Sequence, residues 1–208
     1  MKVQCLCENK FEVTPLTAID LDSDTSFIAK IKAGTFNGFK CPKCGSLVRP
    51  EVVIHIDWKS KGVKLASIPE KMRYHCLAFC KNKKAAAKSG EKPPFNANET
   101  PVIGNWELLD RINSLNAHLE TVPLEALKFL VLDGAKGDKS KIEIAFKALA
   151  DDQLEFYVSG ISEEMGIIHV PLKLYEKMVA DYKKRKKNEI FTAVVSDAYI
   201  SYKNIITE

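Results

Sequence analysis

Long hydrophobic runs are missing from this chain of 208 residues. The longest, such as Phe129-Leu130-Val131-Leu132, fall far short of the about 18 residues that a bilayer-spanning helix needs. A secretory leader is not legible either, because Met1-Lys2-Val3-Gln4-Cys5-Leu6-Cys7-Glu8 reaches an acidic residue before an apolar segment can form. Catalytic signatures are equally scarce. No Gly-x-Ser-x-Gly elbow, His-Glu-x-x-His or Gly-x-Gly-x-x-Gly occurs. The four histidines stand at 55, 75, 118 and 169, with no pair at helical ligand spacing. Asp151-Asp152 and Glu163-Glu164 lie in turn contexts that suit solvated corners better than paired acid/base chemistry. The expectation is a cytoplasmic protein without membrane attachment and without an enzymatic reaction.

Two tempting motifs fail on chemistry. Asp20-Leu21-Asp22-Ser23-Asp24 imitates the start of a calcium loop, but Thr25 stands where glycine is needed and Ile31 where the final carboxylate should bind. Gly134-Ala135-Lys136-Gly137-Asp138-Lys139-Ser140 imitates a phosphate loop, but only two residues separate the glycines and Asp138 would repel a phosphate.

What is present is an ordinary globular composition, 46% hydrophobic and 28% charged, with charge unevenly divided. Residues 1–100 carry 17 basic and 10 acidic side chains, a balance of +7, whereas 101–208 carry 14 and 17, a balance of −3. Lys81-Asn82-Lys83-Lys84 with Lys88, and Lys183-Lys184-Arg185-Lys186-Lys187, are runs that could bind nucleic acid by releasing counterions. Neither is interleaved with the aromatics that single-strand binders use, and a solvated helix end explains both.

Periodicity gives the organisation. Val52 to Ile56 is β-branched, and Val63 to Ile68 can pair with it across Lys59-Ser60-Lys61-Gly62. Asp24 can cap a short helix through Phe27, Ile28 and Ile31 that stops at Gly34. After Pro69, residues Met72, Cys76, Phe79 and Cys80 share a helical face. Residues 89–100, rich in Gly, Pro and Asn, read as a linker. Beyond them, Trp106 to Ile112 and Pro123 to Leu132 have helical spacing. Ile142 to Ala150 and Leu154 to Val158 form a hairpin around Asp151-Asp152, and Gly166 to Val170 adds a third strand. Pro171 opens a helix, and the chain closes with a strand from Phe191 to Val195 and a helix capped by Ser196. The expected class is α+β: an N-terminal β-rich module over 1–88 ending in a helix, a linker over 89–100, and a helix-plus-antiparallel-sheet domain over 101–208.

Six cysteines stand at 5, 7, 41, 44, 76 and 80. Without an export signal, close cysteine pairs point to a metal or to redox chemistry before a disulfide scaffold. In Cys41-Pro42-Lys43-Cys44-Gly45 two intervening residues let both thiolates reach one ion, and the glycine lets the backbone turn its N–H groups toward sulfur. Cys5 and Cys7 are two apart, so an extended chain would present both on one face. Four thiolates suit a structural Zn2+ with no open position, so Cys5, Cys7, Cys41 and Cys44 are the expected ligands. A thiol–disulfide couple at Cys41 and Cys44 is the rival, though no thioredoxin-like βαβ context surrounds it. Cys76 and Cys80, stacked one turn apart, read as buried core residues.

Cys5 and Cys7, then Ile19 to Gly34, then Phe39-Lys40-Cys41-Pro42-Lys43-Cys44-Gly45, resemble the CpXC family, a bacterial and archaeal group named for its cysteine motifs. The resemblance continues with less specificity through Ile68-Pro69-Glu70 and from about Trp106 to Ile206. It implies a zinc-ribbon-like N-terminal region and brings no established activity with it. The first pair departs from the family pattern, being Cys-Leu-Cys instead of Cys-Pro-x-Cys. The function expected is a non-catalytic zinc-binding protein that interacts with or scaffolds a protein partner. The alternative is a nucleic-acid-associated zinc ribbon using the basic half.

Overall fold

The computed structural model describes residues 1–81, 92–136, 138–184 and 188–205. Two short ribbons hold the N-terminal cysteines. Strand β1 (Lys2–Gln4) pairs antiparallel with β2 (Lys10–Glu12), and β4 (Phe39–Lys40) with β5 (Leu47–Val48). Between them lie β3 (Ala18–Asp20) and α1 (Ser26–Lys32), where Thr25 takes the cap position expected of Asp24 and Asp24 Oδ1, one residue earlier, accepts the Ser26 N–H.

The first sheet is mixed, in the order β3, β6, β7, β8. The hairpin of β6 (Ile54–Trp58) and β7 (Val63–Ile68) forms across a tight turn closed by Gly62 at φ +67. Strand β3 adds parallel to β6, and β8 (Thr100–Ile103) adds parallel to β7. Alternation sends Ile54, Ile56, Trp58 and Leu65 to one face, where Ile31 and the next helix cover them. On the other face Ala66, Ile68 and Ile103 meet α2 (Arg73–Lys81) through Cys76, Phe79 and Cys80. The C-terminal half of β7 is therefore buried on both faces. The segment expected as a linker ends inside this sheet, since Thr100 opens β8, and Glu99 is buried with its carboxylate 2.9 Å from His55 Nδ1.

Gly104, at φ +77, turns β8 directly into α3 (Gly104–Asn116), and Glu107 reaches back to accept the Ile103 N–H at 2.8 Å. Helix α3 serves two cores. Leu108 and Ile112 pack under the mixed sheet. Its polar residues Asp110 and Asn113 are buried against the second sheet, and buried Arg111 donates to Thr121 and to the Ile200 carbonyl. That sheet is an antiparallel meander in the order β11, β10, β9: β9 (Glu143–Ala150), β10 (Gln153–Ser159) and β11 (Gly166–Pro171). Asp151 and Asp152, both at positive φ, make the turn of its first hairpin. Helices α4 (Thr121–Asp133) and α5 (Leu172–Lys183) enclose a core of Leu124, Leu132, Phe146, Leu154 and Phe156.

The first half of the outer edge of β9 is capped by side chains. Asp110 Oδ1 accepts the Phe146 N–H at 2.6 Å, Asn113 Nδ2 donates to the Phe146 carbonyl at 3.1 Å, and the Tyr202 hydroxyl accepts the Ile144 N–H at 2.9 Å. Behind this edge Lys128 Nζ lies 2.8 Å from Asp110 Oδ2 and 2.7 Å from Glu125 Oε1, with Arg111 at 3.8 Å from Glu125. Burial opposes the Lys128 charge, but both carboxylates outweigh it and hold the ammonium above its ordinary pKa. Burial pushes the Glu125 carboxyl up in spite of Lys128.

The expectation at the C-terminus is corrected. Glu189–Ala193 is a helix, α6, because the Asn188 side chain caps it by accepting the Ile190 N–H at 3.0 Å. Val195–Ser196 (β12) and Tyr199–Ile200 (β13) then form a small hairpin around Asp197-Ala198, with Asp197 at φ +50. Only a 3-10 turn, Tyr202–Asn204, remains of the expected helix. The architecture is α+β, as its pattern of strands and helices predicts.

Candidate metal centre

Both cysteine pairs sit on tight turns. In the second, the Cys41 carbonyl accepts the Gly45 N–H at 2.8 Å, the Cys41 N–H donates to Ser46 O at 2.8 Å, and Gly45 takes φ +73. The first repeats this geometry one residue shorter: the Cys5 carbonyl accepts the Glu8 N–H at 2.8 Å, the Cys5 N–H donates to Asn9 O at 2.9 Å, and Glu8 takes φ +66. The extended presentation expected for Cys5 and Cys7 is thus replaced by a turn between β1 and β2. The physical reason is that a turn also aims backbone N–H groups at sulfur, which a straight strand does not.

The four sulfurs of Cys5, Cys7, Cys41 and Cys44 all lie within 4.8 Å of one another. Across the two turns, Cys5 Sγ is 3.5 Å from Cys44 Sγ and Cys7 Sγ is 3.7 Å from Cys41 Sγ. These separations exceed a disulfide bond of about 2.05 Å. They match the edge of about 3.8 Å in a tetrahedron whose sulfurs stand about 2.3 Å from a common ion. The four residues are close enough to hold one metal ion.

The surroundings favour thiolate at the second pair. Burial opposes ionisation of Cys41, but the N–H groups of Cys44 and Lys43 and the Asn9 amide, at 3.6 Å, hold its thiol below the ordinary value. The Ser46 hydroxyl and backbone N–H pull exposed Cys44 down to about 6. At Cys5 the Cys7 N–H also pulls down, but burial and the adjoining thiols win and push it up to about 11. Asn9 and Ser46 are the supporting residues that sequence reading missed. Their only signal is position, each lying two residues after the second cysteine of its pair.

The remaining chemistry-bearing residues do not gather. Cys76 and Cys80 are buried in the α2 core, apart from the four-sulfur cluster. His55 pairs with Glu99, His118 lies beside Lys61, and His169 is 3.9 Å from Glu155. The calcium-like loop spends its carboxylates locally: Asp20 accepts from Asp22 and Ser23 N–H groups, and Asp22 accepts from Ser60. Of the two basic runs, 82–88 and 185–187 lie outside the described residues. Among the described residues, no helix is long and apolar enough to cross a membrane.

Comparison with known proteins agrees with the cysteine pattern. A family model described as "CpXC protein" matches residues 3–128, well over half of the chain. The chain belongs to the CpXC family. A relative from Treponema pallidum (strain Nichols), described as an uncharacterized protein, is 36% identical over 221 residues, spanning 100% of this chain and 99% of its own length. No solved structure matches. The CpXC match takes in both cysteine turns, the mixed sheet, α3 and the first half of α4, and ends before the meander sheet begins.

Proposed function

We propose that this CpXC protein is a non-catalytic zinc-binding interaction module whose four-cysteine site is structural. The observation that carries the reading is the convergence of four sulfurs from two turns that are separated by 33 residues of sequence. Four thiolates in tetrahedral array suit Zn2+, and filling every position with protein leaves none for water or substrate. The ion clamps the β1–β2 ribbon to the β4–β5 ribbon. Both ribbons are too short to be stable alone, so the metal supplies folding energy to this end of the molecule. An interaction role is supported by Leu6, fully exposed at the tip of the first turn, and by Leu47, 40% exposed on β5 nearby. Elemental analysis of native protein with free-thiol counting tests the proposal. One zinc per chain and chelator-dependent loss of N-terminal folding are expected; a metal-free chain that stays folded with reduced thiols contradicts it.

A further inference from the structure

A cavity lies far along the chain from the two cysteine turns, where α2 faces the start of β9 and the C-terminal 3-10 turn. Its volume is about 670 Å³, within the range of small-molecule sites, and it is open to solvent. Each side brings its own ion pair. On the α2 side, Glu70 grips the Arg73 guanidinium through Nε and, at 2.9 Å, through Nη2. On the other, Lys203 Nζ lies 2.7 Å from Glu143 Oε1. Both cations also reach Glu107 behind the cavity, Arg73 at 3.1 Å and Lys203 at 3.6 Å. The buried Tyr199 hydroxyl donates to the same carboxylate at 2.9 Å. Leu77 and Ile142 supply apolar lining between these charges.

We propose that this cavity binds a small zwitterion, a free α-amino acid. The argument is one of charge balance. Among the described residues, the lining cations Arg73, Lys203 and Lys81 are balanced by Glu70 and Glu143 in the lining and by Glu107 behind it, and the two inner cations, Arg73 and Lys203, each stand against carboxylates. A lone anion would compete with those carboxylates, and a lone cation with the guanidinium and ammonium groups, leaving a charge unpaired in a partly desolvated site. A ligand carrying both charges exchanges partners evenly: its carboxylate takes Arg73 and Lys203, and its ammonium takes Glu70 and Glu143. Its side chain rests on Leu77 and Ile142.

Thermal shift and calorimetry on the full-length native protein test this, with each proteinogenic amino acid at millimolar concentration and with its N-acetyl and amide derivatives. At least one free amino acid raises the melting temperature and binds, and each derivative, having lost one charge, binds about tenfold more weakly or worse. Glu143→Gln weakens binding. Ala78→Trp, at an exposed position on the cavity wall, abolishes binding while circular dichroism and metal content stay unchanged. Absence of any binding amino acid, equal binding of the capped derivatives, or full binding by the Ala78→Trp protein overturns the proposal. Metal content reads the cysteine site separately, so failure here leaves the zinc reading standing.

Discussion

Single residues at the cysteine turns carry unequal weight. Cys41 is buried and faces the Lys43 and Cys44 N–H groups, so Cys41→Ser is expected to reduce bound metal well below one equivalent per chain by elemental analysis. Leu6 is fully exposed, and Leu6→Ser is expected to leave metal content unchanged and stability within about 0.5 kcal/mol by urea melts. Two glycines separate conformational strain from collision. Gly45→Ala meets nothing within 4 Å and suffers only its positive φ, costing about 1 kcal/mol. Gly160 has φ +85, and an added Cβ would fall 2.0 Å from the Lys141 carbonyl oxygen, so Gly160→Ala must cost more than Gly45→Ala in the same melts. The Cys41–Gly45 turn was legible because spacing and glycine together describe one geometry. The Cys5–Cys7 turn was not, because Glu8 occupies the left-handed position that glycine would have advertised.

Elements were readable where their pattern is local. The β6–β7 hairpin, the meander and α4 follow from β-branched alternation, the paired aspartates and helical spacing. Phe191 to Val195 was misread because a short, mostly apolar run satisfies a strand and a helix equally, and only the Asn188 cap decides. The parallel additions of β3 and β8 join segments distant in sequence, which no local pattern reports. The buried polar groups of α3 are likewise invisible, since Asp110 and Asn113 look like a solvated face until β9 is placed against them, and Arg111 until Thr121 and Ile200 are. Asp110→Ala strips Lys128 of a carboxylate and Phe146 of its acceptor at once. A loss of about 3–5 kcal/mol is expected in equilibrium unfolding, and a loss below about 1 kcal/mol would contradict the role given to this side chain.

At the scale of the whole molecule, the four-cysteine end and the two-sheet body are expected to respond to different conditions. Chelation is expected to strip hydrogen-exchange protection from the β1–β2 and β4–β5 ribbons while β9 and β10 keep theirs. Alkali acts on the body. Burial raises the Tyr199 and Tyr202 phenols well above their ordinary value near 10, and both keep protons that the unfolded chain releases there. The folded state therefore binds more protons above that pH. This stabilisation is complete below about pH 10 and is lost as pH climbs beyond it. Urea midpoints measured from pH 8 to 11 should fall at the alkaline end, less steeply in Tyr202→Phe. Asp110, Asn113 and Tyr202, which occupy the outward backbone groups of Ile144 and Phe146, have one more effect. Pairing of a foreign strand along the first half of β9 is blocked there, whereas β11, at the other border of the meander, carries no such side-chain plugs among the described residues. Growth of this sheet in a self-associating or aggregating population is consequently biased toward the β11 border.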